Sequence, residues 1–132
     1  MKKAIGIFAL ALLLAGCSPN RADGTLVIGG RFFAHQLQDI FMNPQLYMGR
    51  AIQHEGVFRI FHEPGTGYDF YAVVREVPSC CGDVPIGIEI LLPDGTEPFA
   101  DWAWVEVTGV LEEHQGFPAI RATLLREGQP RR

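Results

Sequence analysis

The chain has 132 residues and a mean hydropathy of +0.12, and after residue 17 it carries nine basic and 15 acidic side chains, a net charge of −6. This length supports one modest hydrophobic core, and the acidic balance argues against a nucleic-acid partner, because phosphate binding requires clustered positive charge. The absence of lysine after Lys3 also excludes Schiff-base lysine chemistry and a phosphate-binding P-loop from that part of the chain.

The first 16 residues have the order of a secretory signal peptide. Lys2 and Lys3 precede an apolar run over residues 4–15, and a positive start followed by a short apolar stretch is typical of such signals. The run is too short for a membrane-spanning helix, which needs about 20 apolar residues. We therefore expect residues 1–16 to be a signal peptide that is removed from the mature protein.

The apolar run ends at Leu14-Ala15-Gly16-Cys17, which resembles the lipobox of bacterial lipoproteins. This resemblance implies that Cys17 carries a diacylglyceryl group and becomes the first residue of the mature chain. Several acyl chains anchor a protein far better than one, since each buried methylene contributes about 0.8 kcal/mol. We therefore expect a lipid-anchored protein of the cell envelope that faces the periplasm or the cell exterior. Ser18 favours the outer membrane in a bacterium with two membranes.

Residues 17–30 form a polar, glycine-containing stretch that is interrupted by one apolar triplet, Leu26-Val27-Ile28. This composition predicts a lipidated tether with little fixed structure. The apolar residues that follow are spaced as on one stripe of a helix: Phe33, Leu37, Ile40 and Phe41. Asn43 and Pro44 then end the pattern, so the sequence predicts one short amphipathic helix before residue 43.

From about residue 52 the apolar pattern changes to a period of two, which indicates β-strands. Five strands are predicted, near residues 52–60, 68–77, 86–92, 104–111 and 117–125. Gly56 and Gly109 lie inside two of them, where glycine permits the bulge or sharp bend that a curled sheet needs. Because closure removes exposed edges, we predict an all-β fold for residues 31–132, a small five-stranded OB-like barrel preceded by one short α-helix.

The same alternation predicts which side chains share a face of each strand. The apolar faces are Ile52, Phe58 and Ile60 in the first strand, Phe70, Ala72 and Val74 in the second, Val105, Val107 and Leu111 in the fourth, and Ile120, Ala122 and Leu124 in the fifth. We expect Ile120, Ala122 and Leu124 to point into the core. Arg121 and Thr123, which alternate with them, are expected to point outward.

Four short motifs of the domain are similar to a known bacterial family. They are Asn43-Pro44 with Tyr47-Met48-Gly49, Ser79-Cys80-Cys81, Trp104–Gly109 and Pro118–Ala122. Together they resemble the C-terminal OB-like domain of a family of bacterial permease subunits, and related OB-fold lipoproteins. The resemblance implies a polytopic membrane-protein partner and a role in metal handling, zinc in particular. Because this chain has a lipoprotein signal in place of the family's membrane helices, only the domain is carried over.

The double cysteine Cys80-Cys81 is the motif with the most chemistry. It lies in a predicted loop over residues 77–83, whose proline and glycine allow both thiols to face the same way. Thiolates bind soft or borderline ions such as zinc and copper(I), and His62, His54 or Asp83 could complete a shell of four ligands. The candidate metal ligands are therefore Cys80, Cys81, His62 and Asp83, with zinc as the candidate cofactor.

Two other interpretations of the thiols compete with a metal site. An oxidising compartment favours a vicinal disulfide or a redox pair, and two adjacent cysteines can also be buried for packing only. Two tryptophans, Trp102 and Trp104, share one side of an extended segment, where they either form an aromatic platform for a glycan or peptide or pack beneath the Phe33 helix.

Catalysis finds little support, because Ser79 has no histidine at a recognisable spacing and the paired acids lie at turns. We therefore expect a protein that is not an enzyme. The leading hypothesis is a lipid-anchored binding or accessory module of the envelope, which contacts a metal ion or a membrane-protein partner through the Cys-Cys loop or a barrel face. The alternative hypothesis is a thiol redox-active or otherwise catalytic envelope protein that uses Cys80 and Cys81.

Overall fold

The structure is a computed structural model that describes residues 24–130. The predicted signal peptide, Cys17 and the first part of the tether lie outside the described residues. The elements in chain order are β1 (Leu26–Ile28), α1 (Phe33–Met42), β2 (Ala51–His62), β3 (Asp69–Ser79), β4 (Gly82–Leu91), β5 (Trp104–His114) and β6 (Phe117–Glu127). Within residues 24–130, no helix is long and apolar enough to cross a bilayer.

The helix α1 forms where the apolar stripe predicts it. Its buried side chains are Phe33, Leu37 and Ile40, spaced at three and four residues so that they lie on one face against the sheet. A short 3-10 turn precedes α1, and the helix ends at Asn43, whose backbone N–H donates to the carbonyl of Asp39. Pro44 starts a second 3-10 turn, because proline cannot continue the α-helical hydrogen bonding.

The all-β class with one short α-helix is confirmed for the described part of the chain. Five long strands pair in the order β2-β3-β4-β6-β5, and β5 also pairs with β2, so the sheet curls back on itself. The contact between β4 and β6 is parallel and has only three residue pairs, from Glu89–Ala119 to Leu91–Arg121. Because that connection is so short and a sixth strand is present, the sheet is not the regular five-stranded barrel that we predicted.

The additional strand β1 corrects the predicted tether. Leu26, Val27 and Ile28 pair in parallel with residues 52–54 of β2, and Ile28 is only 1% exposed. This edge of β2 is free for β1 because β3 pairs with β2 only as far as Val57. Ile28 is therefore part of the core and Leu26 packs against it, whereas Val27 between them is 58% exposed. The prediction of little fixed structure up to residue 30 is wrong at its C-terminal end.

Gly109 lies at an irregularity between β5 and β6. Thr108 pairs with Leu124 and Gly109 pairs with Ala122, so Thr123 is an extra residue in β6. A Cβ atom added at Gly109 would lie 2.2 Å from the carbonyl oxygen of Arg121, so only glycine fits opposite the bulge. The strand irregularity expected at this glycine is present, but the extra residue lies in the partner strand β6 and not in β5.

The bulge also explains an error in the predicted core. An extra residue reverses the alternation of β6 beyond residue 123, because successive side chains point to opposite faces of a strand. Leu124 is therefore 52% exposed, and Leu125 packs against the core in its place. Before the bulge, Ile120 and Ala122 are buried as predicted, and Arg121 is exposed.

We predict that Gly109→Ala lowers the free energy of unfolding by about 1–3 kcal/mol, because the new methyl group would force the two strands apart. Gly29→Ala is the matched control, since the φ of Gly29 is 173° and the nearest atom to an added Cβ is Nη1 of Arg75 at an ordinary 3.6 Å. Denaturant unfolding of the two variants measures the difference. Equal losses in both would contradict the explanation given for Gly109.

Candidate functional site

The hairpin formed by β3 and β4 extends beyond the strands around it. Pairing between these two strands continues to Ser79 and Gly82, whereas β2 pairs with β3 only up to Val74, and β6 meets β4 only from Glu89. Among the described residues, the outer half of the hairpin thus pairs only with itself. Residues 78–85 are all exposed, so this end of the hairpin is accessible to a partner in solution.

Cys80 and Cys81 are the two residues of the turn at the hairpin tip. The Ser79 hydroxyl donates to the carbonyl of Gly82 at 2.7 Å and accepts from the N–H of Cys81 at 3.4 Å. The two Sγ atoms are 3.3 Å apart, and both residues are exposed free cysteines. The predicted loop is therefore a tight turn, and the interpretation that the thiols are buried for packing is wrong.

The other two proposed metal ligands occupy different places. Asp83 pairs with Pro78 just behind the turn, but His62 pairs with Asp69 at the opposite end of β3. Because β3 has 11 residues, its ends are about 33 Å apart at roughly 3.3 Å per residue. The Nδ1 atom of His62 lies 2.6 Å from the carboxylate of Asp69.

The predicted four-ligand set is therefore not assembled, and the assignment of His62 is wrong. The sequence could not show this, because the distance depends on how far the β2–β3 and β3–β4 hairpins extend. No cluster of three or more histidine, cysteine, aspartate or glutamate side chains within residues 24–130 is arranged to hold a metal ion. Of the four proposed ligands, the fold brings Cys80, Cys81 and Asp83 to the tip of the β3–β4 hairpin.

His54, the further candidate ligand, is part of the core and only 1% exposed. Its ring stacks on Phe33, with centroids 5.2 Å apart, and its nitrogens each lie 3.3 Å from a backbone carbonyl oxygen, of Ile28 in β1 and of Val73 in β3. The His54 ring thus lies between β1 and β3. Both ring nitrogens face backbone carbonyls, and His54 lies apart from the thiol pair.

Burial decides the protonation of His54. The two carbonyl contacts favour the protonated ring, but desolvation is the larger effect and lowers the pKa of His54 from 6.5 to about 4. The neutral ring carries a single N–H, so it can donate to one carbonyl at a time.

Arg75 is a candidate binding residue that sequence reasoning missed. Its guanidinium lies between two aromatic rings, 5.4 Å from the centroid of Phe33 and 5.8 Å from that of Trp104. Arg75 lines two pockets, one of about 510 Å³ that includes Gly29 and one of about 330 Å³ that includes Trp102 and Trp104. A lone arginine in a strand carries no sequence signal that would have identified it.

Of the two interpretations of the tryptophans, packing beneath α1 does not apply to Trp102. Trp102 is 65% exposed, and the guanidinium of Arg59 lies 3.7 Å from the centroid of its ring. Arg59 is held in turn by Asp101, at 2.9 Å from Nε to Oδ1. The backbone N–H of Ile60 also donates to this carboxylate and keeps the pKa of Asp101 below its ordinary value.

Comparison with known proteins does not assign the chain to a family. The chain matches no protein-family model, and no curated protein matches it. The resemblance to bacterial permease subunits and OB-fold lipoproteins therefore stays a prediction.

We predict that His54 makes the domain sensitive to acid. Between pH 6.5 and about 4 the unfolded chain binds a proton at this residue that the folded chain does not, so the free energy of unfolding falls as the pH falls. At about 1.4 kcal/mol per pKa unit, the loss approaches roughly 3 kcal/mol by pH 4. Denaturant unfolding at a series of pH values measures the slope.

His54→Gln is the control, because glutamine keeps a hydrogen-bonding side chain but does not titrate. The carboxylates contribute equally to both proteins, so the difference between the two pH profiles isolates residue 54. Parallel profiles between pH 6.5 and 4 would show that His54 is not buried in its neutral form.

Proposed function

We propose that this protein is a lipid-anchored binding module of the bacterial cell envelope, which acts through the exposed thiol pair at the tip of the β3–β4 hairpin. The observation that carries the proposal is the 3.3 Å separation of the Cys80 and Cys81 sulfurs on an accessible turn. In this proposal the protein works by contact and is not an enzyme.

The envelope location rests on the signal-like start and on Cys17 in its lipobox context. Leu26 is the first residue of the sheet, nine positions after Cys17. Even fully extended, nine residues span at most about 30 Å, so the domain would work within one protein diameter of the bilayer. A partner embedded in the same membrane fits this short range.

The thiol pair supports a soft metal ion as the ligand. Thiolates are the ligands that copper(I) and zinc prefer, and two neighbouring sulfurs supply two donors without a change of fold. A closed zinc site takes four ligands, and residues 24–130 do not arrange even three candidate side chains to hold a metal ion. In this proposal Cys80 and Cys81 therefore bind an exposed metal ion, and a partner protein or small thiols supply its remaining ligands.

The same sulfur separation also supports a second function, a reversible redox pair. Oxidation would remove two electrons and two protons from Cys80 and Cys81 and form one disulfide, with an envelope oxidant as the acceptor. Adjacent cysteines close the smallest disulfide ring that a chain permits, and strained bonds of this kind are easily reduced.

We predict that the purified lipoprotein in detergent, with its thiols reduced, binds copper(I) or zinc, and that Cys80→Ser and Cys81→Ser each abolish binding. The matched control is His62→Ala, which removes an exposed ligand type about 33 Å away and is expected to leave binding unchanged. Because all three positions are exposed, each substitution should change stability by less than about 0.5 kcal/mol. Metal analysis and thiol titration provide the readouts.

The outcomes separate the two functions. Metal binding that is lost in both serine variants supports the contact site. A disulfide that forms and is reduced reversibly, with no bound metal, supports the redox function. A protein whose thiols neither bind metal nor oxidise would remove the thiol pair from both proposals.

We further predict that Cys17→Ser releases the protein from the membrane fraction, because the thiol that accepts the lipid is lost. Fractionation and mass spectrometry of the N-terminal peptide test this separately from the thiol chemistry at residues 80 and 81. An unmodified Cys17 in the wild type would end the anchoring part of the proposal.

A further inference from the structure

Arg75 lines two pockets, and we call these two pockets together the Arg75 groove. One is lined by Val57, Arg59, Val74, Arg75, Glu76, Pro85, Trp102 and Trp104, and the other by residues 27–30 and 53–55, Arg75 and Glu106. The groove includes neither the thiol pair nor His62.

Trp102 is held toward this groove in a strained conformation. Its φ angle is 74°, in the left-handed region that a bulky side chain rarely adopts. Backbone hydrogen bonds on both sides enforce it, from Trp102 N–H to the carbonyl of Phe58 at 2.8 Å and from Phe58 N–H to that of Ala103 at 2.7 Å. Glycine would adopt this angle without strain, so the exposed indole is retained at a cost to stability.

The side chain of Arg75, which lines the same groove, has a hydrogen-bond donor without an acceptor among the described residues. Its Nη1 atom is buried and has no hydrogen-bond partner within residues 24–130, and Arg75 lines both pockets. A buried donor without an acceptor is costly, and rotation of the guanidinium toward either pocket would allow a ligand oxygen to accept from it. The groove thus suits a ligand that carries acceptors.

The lining limits the chemistry of that ligand. The lining combines two positive residues, Arg59 and Arg75, with three negative ones, Glu55, Glu76 and Glu106. Arg59 is already paired with Asp101, and Glu106 with Arg126. The lining therefore has no strong excess of either sign that would select a charged ligand. A purely apolar ligand would leave the arginine donor unpaired. The indole rings and Val57 instead suit a flat apolar face, and the charged groups suit hydroxyls that both donate and accept.

We propose that the Arg75 groove binds a neutral oligosaccharide of at least two pyranose rings. One ring stacks on the Trp102–Trp104 side, and the next extends past Arg75 toward Gly29, where its hydroxyl oxygens accept from the guanidinium. A pyranose combines an apolar C–H face with a rim of hydroxyls, which matches this lining. The volumes of about 330 and 510 Å³ on the two sides fall in the range of small-ligand sites.

The test uses the intact lipoprotein in detergent and a glycan array of neutral and acidic oligosaccharides, followed by calorimetry with tetramers of β-1,4-linked glucose and of N-acetylglucosamine. We expect neutral tetramers to bind, and the corresponding monosaccharides to bind at least about tenfold more weakly, because one ring fills only one side of the groove. Binding confined to acidic glycans, or binding to none of the array, would overturn the proposal.

Variants separate a binding role from a structural one. Trp102→Ala and Arg75→Gln should each weaken sugar binding at least about tenfold, whereas Phe117→Ala, which removes an aromatic side chain 64% exposed and outside the groove, should leave it unchanged. Since Arg75 is partly buried, the exposed Trp102 variant keeps the test valid if the arginine variant does not fold. Equal affinity in wild type and Trp102→Ala would refute the groove as the site.

The strain at residue 102 supplies an independent readout. Trp102→Gly and Trp102→Ala both remove the indole and the contact with Arg59, so both should lose sugar binding. They differ in backbone freedom, and glycine at φ 74° should give a melting temperature several degrees above that of the alanine variant. If Trp102→Gly melts below Trp102→Ala, Trp102 is not held in a strained conformation, and the argument from its retained strain fails.

Discussion

The structure depends on the point at which β3 leaves β2. The two strands pair as far as Val57 and Val74, and at the neighbouring Gly56 a Cβ atom would lie 2.5 Å from the carbonyl oxygen of Val74. Only glycine allows this close approach. In the N-terminal half of β2, β5 pairs along one edge, and the other edge, which β3 has left, is occupied by the short strand β1 at residues 52–54. Most of the features described above are consequences of this separation of β3 from β2.

Three elements occupy the space that opens there. The strand β1 pairs with the edge of β2, the His54 ring lies between the carbonyls of Ile28 in β1 and Val73 in β3, and Phe33 of α1 stacks on the histidine. Burial keeps the ring neutral, so its single N–H donates to one of these carbonyls at a time. The N-terminal segment is therefore part of the fold, although its composition resembles that of a linker.

The same divergence creates the two candidate sites. Because β3 no longer follows β2, its outer half pairs only with β4 and carries the Cys80-Cys81 turn away from the rest of the sheet. Arg75 lies at the base of this ribbon, between Phe33 and Trp104, and lines two pockets. The thiol tip suits a transient contact with a partner, whereas the Arg75 groove suits a ligand held against a rigid surface.

Several features were predictable because they depend on neighbouring residues along the chain. The period of two in the strands indicates the all-β class, the stripe that contains Phe33 and Leu37 indicates α1, and Pro44 indicates its end. The secretory start and the lipobox around Cys17 are likewise local patterns, and they remain expectations about residues outside the described part. The adjacent pair Cys80-Cys81 is local as well, so the sequence alone identified it as a candidate site.

Only the tertiary structure decided the features that depend on register and on long-range pairing. Both faces of β3 are apolar, so alternation could not show that Val73 enters the core cluster, and the bulge at Thr123 changed the side to which Leu124 points. The sequence could not show that the full length of β3 lies between His62 and the thiols, and it could not show that His54 is buried. Local chemistry determined what the elements are, whereas strand pairing, which joins residues far apart in the chain, decided which side chains meet.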